Sequence, residues 1–178
     1  MQRLLLIFFL LFINYAVGQS DNENIAEITA SYITKAEQFH TKDSSLCKGY
    51  LDTALFLSKS YNLPELEAKT LLTKGVFEYN TGQYTLAIQT YLEALEVIDQ
   101  HDFPALKAKA YDNIGLVNYA MQNYERALEN SKKALKINQD LGDSTNLIRN
   151  HNNLGIDYYM LKNFEQSLHH YTRSKELS

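Results

Sequence analysis

Among residues able to do chemistry, the histidines come first. His169 and His170 are adjacent, and His151 stands in the same C-terminal stretch. A metal needs convergent imidazoles. Neighbouring helix residues point roughly 100° apart, so this pair chelates poorly. The reading kept is one groove or surface histidine and one interface histidine, with no metal bound. Cys47 is the single cysteine, which excludes a disulfide framework and a CxxC knuckle. Carboxylates such as Glu125, Glu129 and Asp140 scatter over helix faces without a convergent acid–base pair. No HExxH, Walker-type loop or GxSxG occurs. The expectation is a protein that is not an enzyme and holds no cofactor.

What the sequence carries instead is a register of 40 residues, set by Gly75, Gly115 and Gly155. Four positions after each glycine stands Tyr79, Tyr119 or Tyr159, and nine after it the aromatics Tyr84, Tyr124 and Phe164. Small residues follow twelve and nineteen positions on: Ala87, Ala127 and Ser167, then Ala94, Ala134 and Ser174. Further columns hold Lys69, Lys109 and Arg149; Thr73, Asn113 and Asn153; and Val76, Leu116 and Ile156. Together they form a ladder of cation, hydroxyl or amide, aliphatic and phenol. One step back, Cys47, Ala54 and Leu55 fall on the later columns while Lys35 replaces the glycine. Cys47 therefore reads as an alanine substitute at a helix crossing. The units are 28–67 (degenerate), 68–107, 108–147 and 148–178 (short), after a linker or helix start at 19–27.

The elements that hold these columns are helices. Only 7 Gly and 2 Pro in 178 residues argue against an all-β fold and for long helices with short joins. In 108–147 the positions Ala108, Tyr111, Ile114, Gly115 and Tyr119 recur at helical spacing, and Tyr124, Ala127, Leu128, Ser131, Ala134 and Leu135 form a second stripe. Met121-Gln122-Asn123 makes the connection between them. Pro64 and Pro104 suit a first helical turn, and Gly142-Asp143-Ser144 offers a C-cap glycine and an N-cap. Small residues let antiparallel helices approach closely, and the aromatic at 84, 124 and 164 plugs the space beside each hairpin turn.

Lys plus Arg is 17 and Asp plus Glu 21, a net charge of -4, with hydrophobic residues at 45%. This is globular composition, and the lack of a basic block argues against nucleic acid as a partner. Residues 1–18 have the order of a secretory signal: Arg3, then ten apolar residues from Leu4 to Ile13, then small Ala16 and Gly18. Cleavage is expected after Gly18, leaving 16 - 21 = -5 and placing the protein in the periplasm or outside the cell. The alternative is an uncleaved N-terminal anchor, the chain's one expected contact with a membrane.

The segment Ala108 to Asn138 (AKAYDNIGLVNYAMQNYERALENSKKALKIN) resembles the tetratricopeptide repeat in its Tyr111, Ile114-Gly115, Tyr124, Ala127, Ala134 and Leu135. The likeness extends over about 28–178. It implies an all-α, right-handed superhelical array of antiparallel helix pairs, a solenoid of about four units. The usual unit is 34 residues, and the six extra are assigned here to a longer second helix and inter-unit loop. His151 stands where a large aromatic is usual. The resemblance also implies a concave groove lined by first helices and facing Lys69, Thr73, Val76, Tyr79, Lys109, Asn113, Leu116, Tyr119, Arg149, Asn153, Ile156 and Tyr159. Such a groove takes a protein or peptide segment, acidic if the cation column leads. A carboxylate clamp known in some relatives is incomplete, since only Asn113 and Arg149 match it. The leading expectation is an exported protein–protein interaction module. The alternatives are a sensor domain, or truncated relative, of a membrane histidine kinase or DNA-binding regulator, and an outer-membrane glycan-binding helper. Leu168, Tyr171 and Leu177 mark a final helix expected to be uncapped, open to self-association or to further chain.

Overall fold

The structure is a computed structural model and describes residues 23–39 and 43–178. The export signal expected at 1–18 lies outside the described residues. The described residues form eight helices and no strand: α1 (23–39), α2 (Ser44–Ser60), α3 (Pro64–Asn80), α4 (Tyr84–His101), α5 (Pro104–Ala120), α6 (Tyr124–Leu141), α7 (Ser144–Met160) and α8 (Phe164–Leu177). The chain divides into two compact units, Met1–Glu67 and Ala68–Ser178. No helix among the described residues is long and apolar enough to cross a membrane.

In the first unit, Ile33, Ala36, Cys47 and Leu51 are buried. The Cys47 thiol lies against the Ala36 carbonyl at 3.4 Å, and burial raises its pKa, so it packs as a small apolar residue. Asp43 caps α2 by accepting from the Ser45 and Leu46 N–H groups, both at 3.0 Å. Tyr50 packs against Tyr32 and Phe39, with ring centroids 5.9 and 5.8 Å away.

In the second unit, successive helices pack as antiparallel hairpins. The small-residue columns sit at the crossings: Ala87, Ala94, Ala127 and Ala134 are fully buried. In the last hairpin serines replace them, and each hydroxyl donates across the crossing, Ser167 to the Gly155 carbonyl at 2.8 Å and Ser174 to the Ile148 carbonyl at 3.0 Å. A polar group can thus occupy a tight crossing once its hydrogen bond is made. At each hairpin turn two rings of the register meet: Tyr79 with Tyr84 and Tyr119 with Tyr124 at 5.7 Å, Tyr159 with Phe164 at 5.6 Å.

The turns share one device. Asn62, Gly82, Asp102, Gln122, Gly142 and Lys162, spaced every twenty residues, all have positive φ. After each, the next N–H bonds back to a carbonyl five residues earlier, as in Asn123 to Asn118 and Asp143 to Asn138, closing the helix end. Helix and turn thus repeat every 20 residues, half the period of the side chains. The six extra residues are not in a long inter-unit loop. The joins Asp102-Phe103 and Gly142-Asp143 are shorter than the hairpin turns, and the helices themselves run to 17 and 18 residues. α3, α5 and α7 also begin four residues before the unit starts counted from the apolar columns, with Pro64 and Pro104 at the first positions of α3 and α5. α7 is capped by Asp143, whose Oδ1 accepts from the Asn146 N–H at 3.1 Å. On α8, Phe164, Leu168 and Tyr171 are exposed.

Candidate functional site

α5 and α7 are the first helices of consecutive hairpins. Lys109, Asp112, Leu116 and Tyr119 recur every three or four residues along α5, and Asn146, Arg149, Asn153 and Ile156 along α7, so each set forms one face. Two pockets lie along these faces. One, of about 320 Å³, is lined by Ala105, Leu106, Ala108, Lys109, Asn138, Asn146 and Arg149. The other, of about 110 Å³, is lined by Gly115, Leu116, Tyr119, Ser131, Asn153, Ile156 and Asp157. The crevice has a cationic end and an apolar end.

A buried polar chain joins the two helices. Asn138 Nδ2 donates to Asn150 Oδ1 at 2.6 Å, Asn150 Nδ2 donates to Asp112 Oδ1 at 2.7 Å, and Arg149 Nη2 donates to Asp112 Oδ2 at 2.8 Å. The Asn153 amide also bonds Asp112. Burial raises the Asp112 pKa, and Arg149 with the two asparagines opposes that rise. Arg149 is therefore bound to a carboxylate of its own chain while half its side chain faces water. At the other end Ser131 Oγ donates to Asp157 Oδ2 at 2.6 Å, and burial pushes the Asp157 pKa up to about 6.

The expected groove residues divide. Lys109, Leu116, Tyr119, Arg149, Asn153 and Ile156 line the two pockets. Asn113 lines neither, and its Nδ2 is buried without a partner. Thr73 turns its hydroxyl onto the Lys69 carbonyl of its own helix at 3.0 Å, and Lys69 and Val76 are half-buried. Tyr79 and Tyr159 pack against the rings of Tyr84 and Phe164 at their hairpin turns. Asp112, Asn150 and Asp157 escaped the sequence reading, and Ser131 entered it only as a small residue of the second helical stripe. Their signal was an exception within a column: Asp157 follows Phe77 and Val117, and Ser131 stands between Tyr91 and Tyr171.

The histidines hold one another. His151 Nδ1 and His170 Nδ1 are 2.9 Å apart, and His170 stacks on Tyr158 with centroids 5.4 Å apart. Burial first, then the neighbouring histidines and Lys132, push the His170 pKa down to about 4. His169 is exposed. No cluster of three metal-ligating side chains occurs among the described residues.

Hairpins with glycine and alanine crossings, stacked so that first helices line a crevice, define a helical-repeat protein. Tetratricopeptide-repeat models match residues 68–101 and 106–178, and the chain belongs to that family. Solved structures share the fold. BtubC (BKLC) from P. vanneervenii superimposes with a TM-score of 0.76 at 23% identity, covering 86% of this chain and 64% of that one. A Rap protein complexed with competence and sporulation factor gives 0.78 at 20% identity over 85% of this chain and 43% of that one. Apo RapI gives 0.77 at 17% identity, over 86% and 43%. The chain thus spans about two fifths to two thirds of the length of these structures. A search of curated protein sequences found no match.

Proposed function

We propose that this protein is an interaction module that holds an extended peptide or protein segment along the α5–α7 crevice. The observation that carries this reading is the pair of pockets, lined from both helices, with Lys109 and Arg149 at one end and Leu116, Tyr119 and Ile156 at the other. Asn153 lines the apolar pocket, and while its amide holds Asp112 its carbonyl oxygen can accept from a backbone N–H. A Rap protein of the same fold was solved in complex with a competence and sporulation factor, which supports a bound partner for this architecture. The cationic end favours an acidic side chain or C-terminal carboxylate, with Asp112 holding Arg149 in place rather than leaving it mobile. Export to the periplasm or medium belongs to the same proposal and rests on residues 1–18.

Panning a random displayed peptide library against the purified protein tests the reading. Selected peptides should be enriched in acidic residues and bind with Kd near or below about 10 μM. The double variant K109E/N153A, if its helical circular dichroism is intact, should weaken them at least ~10-fold. Failure to select any binder, or unchanged binding to the folded double variant, overturns it.

A further inference from the structure

The register exposes a vacancy specific to the middle hairpin. In the hairpin α3–α4 the Tyr91 ring lies against the Gly75 backbone, so closely that a Cβ on Gly75 would collide with it. In the hairpin α7–α8 the Tyr171 ring occupies the same place, and a Cβ on Gly155 would meet it at 2.7 Å. In the hairpin α5–α6 the glycine is kept as Gly115 but the tyrosine has become Ser131. The nearest atom to a Cβ there would be the Ser131 hydroxyl oxygen at 3.3 Å. The space the ring leaves is the apolar pocket of about 110 Å³. A closed apolar cavity of about 150 Å³ accepts benzene, so this open pocket has the scale of one aromatic ring.

Resting on the crevice reading above, we propose that this pocket receives the tyrosine side chain of the bound segment, which fills in trans the place that Tyr91 and Tyr171 fill in cis. Its walls suit a flat ring. Leu116, Tyr119 and Ile156 are apolar and each more than a third exposed at the rim, and Gly115 has no side chain to block the approach. Asp157 distinguishes tyrosine from phenylalanine. In the hairpin before it the same register holds Val117, whereas here a carboxylate lines the pocket with Ser131 donating to one of its oxygens. A phenol O–H can donate to a carboxylate, and a phenyl ring can only leave it less hydrated.

The test uses p-cresol, the side chain of tyrosine as a free molecule, titrated into the isotope-labelled protein and followed by amide chemical shifts. Saturable shifts are expected at Gly115, Leu116 and 153–157, with Kd on the order of 1 mM. Toluene should bind at least about three-fold more weakly. S131Y restores the ring of the sister hairpins and should abolish the shifts with helical content intact. If S131Y does not fold, G115L fills the pocket from the opposite wall, at a helical position with no positive φ. Absence of saturable shifts in the parent overturns the proposal, as does an unchanged response in the folded filled variant. Toluene binding as tightly as p-cresol overturns the choice of tyrosine. A selected peptide that binds parent and filled variant equally, yet is weakened by K109E/N153A, sinks the ring pocket and leaves the crevice reading standing.

Discussion

Tyr171 lies on Gly155 as Tyr91 lies on Gly75, ring against bare helix backbone, while no ring lies on Gly115, whose nearest neighbour is the Ser131 hydroxyl. The three glycines of one column therefore have different reasons to be glycine. Changing each to alanine should separate them. Alanine gains about 1 kcal/mol of helix propensity everywhere. At Gly75 that gain is overridden, because Tyr91 is fully buried and cannot yield, so G75A should cost about 2–3 kcal/mol. At Gly155 the ring of Tyr171 is partly exposed and can swing out, so G155A should cost less, about 1 kcal/mol. G115A should be neutral or stabilising. Urea unfolding of the three variants gives the order, and a large loss in G115A would contradict this account of the column.

The helix ends make a second prediction. Gln122 and Lys162 hold the left-handed conformation that Gly82 and Gly142 hold elsewhere in the same register. A residue with a Cβ is strained there by about 1 kcal/mol relative to glycine. Q122G and K162G should each raise stability by about 0.5–1 kcal/mol, a rise of a few degrees in Tm for a domain of this size. G142A should lower it by a similar amount. Calorimetry on the three variants checks the sign.

How much of this was legible beforehand depends on what each residue's signal was. The glycine, alanine and aromatic columns were readable because one structural need recurs at a fixed interval. The turns were harder, since backbone geometry repeats every twenty residues while the residue types at 62, 82, 102, 122, 142 and 162 do not. The buried polar chain was missed because it runs between residues 38 positions apart, Asp112 and Asn150, that share no motif. The Lys69–Lys109–Arg149 column was legible as spacing, but nothing in it told that Arg149 would be anchored by a carboxylate on the preceding first helix. The expectation of one surface and one interface histidine fits an exposed His169 and a packed His170, but the partner of His170 was not legible, because His151 lies nineteen residues away on the opposite helix of the hairpin.

Reading residues 1–18 as an export signal leads to a direct measurement. N-terminal sequencing of the protein recovered from its native compartment should begin at Gln19, or within a residue or two of it. Recovery of Met1 in a membrane fraction would make the segment an anchor instead.

The last prediction concerns two buried titrations that oppose each other. Asp157 has its pKa raised to about 6 by burial, from 3.8. The native state therefore binds a proton that the unfolded chain refuses until lower pH, and the stability associated with that proton is lost as pH rises through about 6. His170 runs the other way. Its pKa is pushed from 6.5 down to about 4 by burial and by the adjacent positive charges, so the unfolded chain takes up a proton first. Stability is lost as pH falls from about 6.5 towards 4, and His151, lowered by burial as well, adds to the loss. Between pH 4 and 6 the two effects cancel in part and the parent protein should show a shallow pH profile. D157N keeps an oxygen for the Ser131 hydroxyl and removes the buried charge. It should be more stable than the parent at pH 8 by about 1–2 kcal/mol, less than a full two-unit shift would give, because water still reaches the pocket. That advantage should shrink as pH falls from about 6 towards 3.8, with well under its full size left at pH 4.5, leaving D157N with a steeper acid loss than the parent. H170Q should gain relative to the parent on acidification. Urea midpoints of the three proteins at pH 8, 6 and 4.5 decide the matter, and a D157N advantage that does not change with pH would show that the Asp157 carboxyl is not the group titrating.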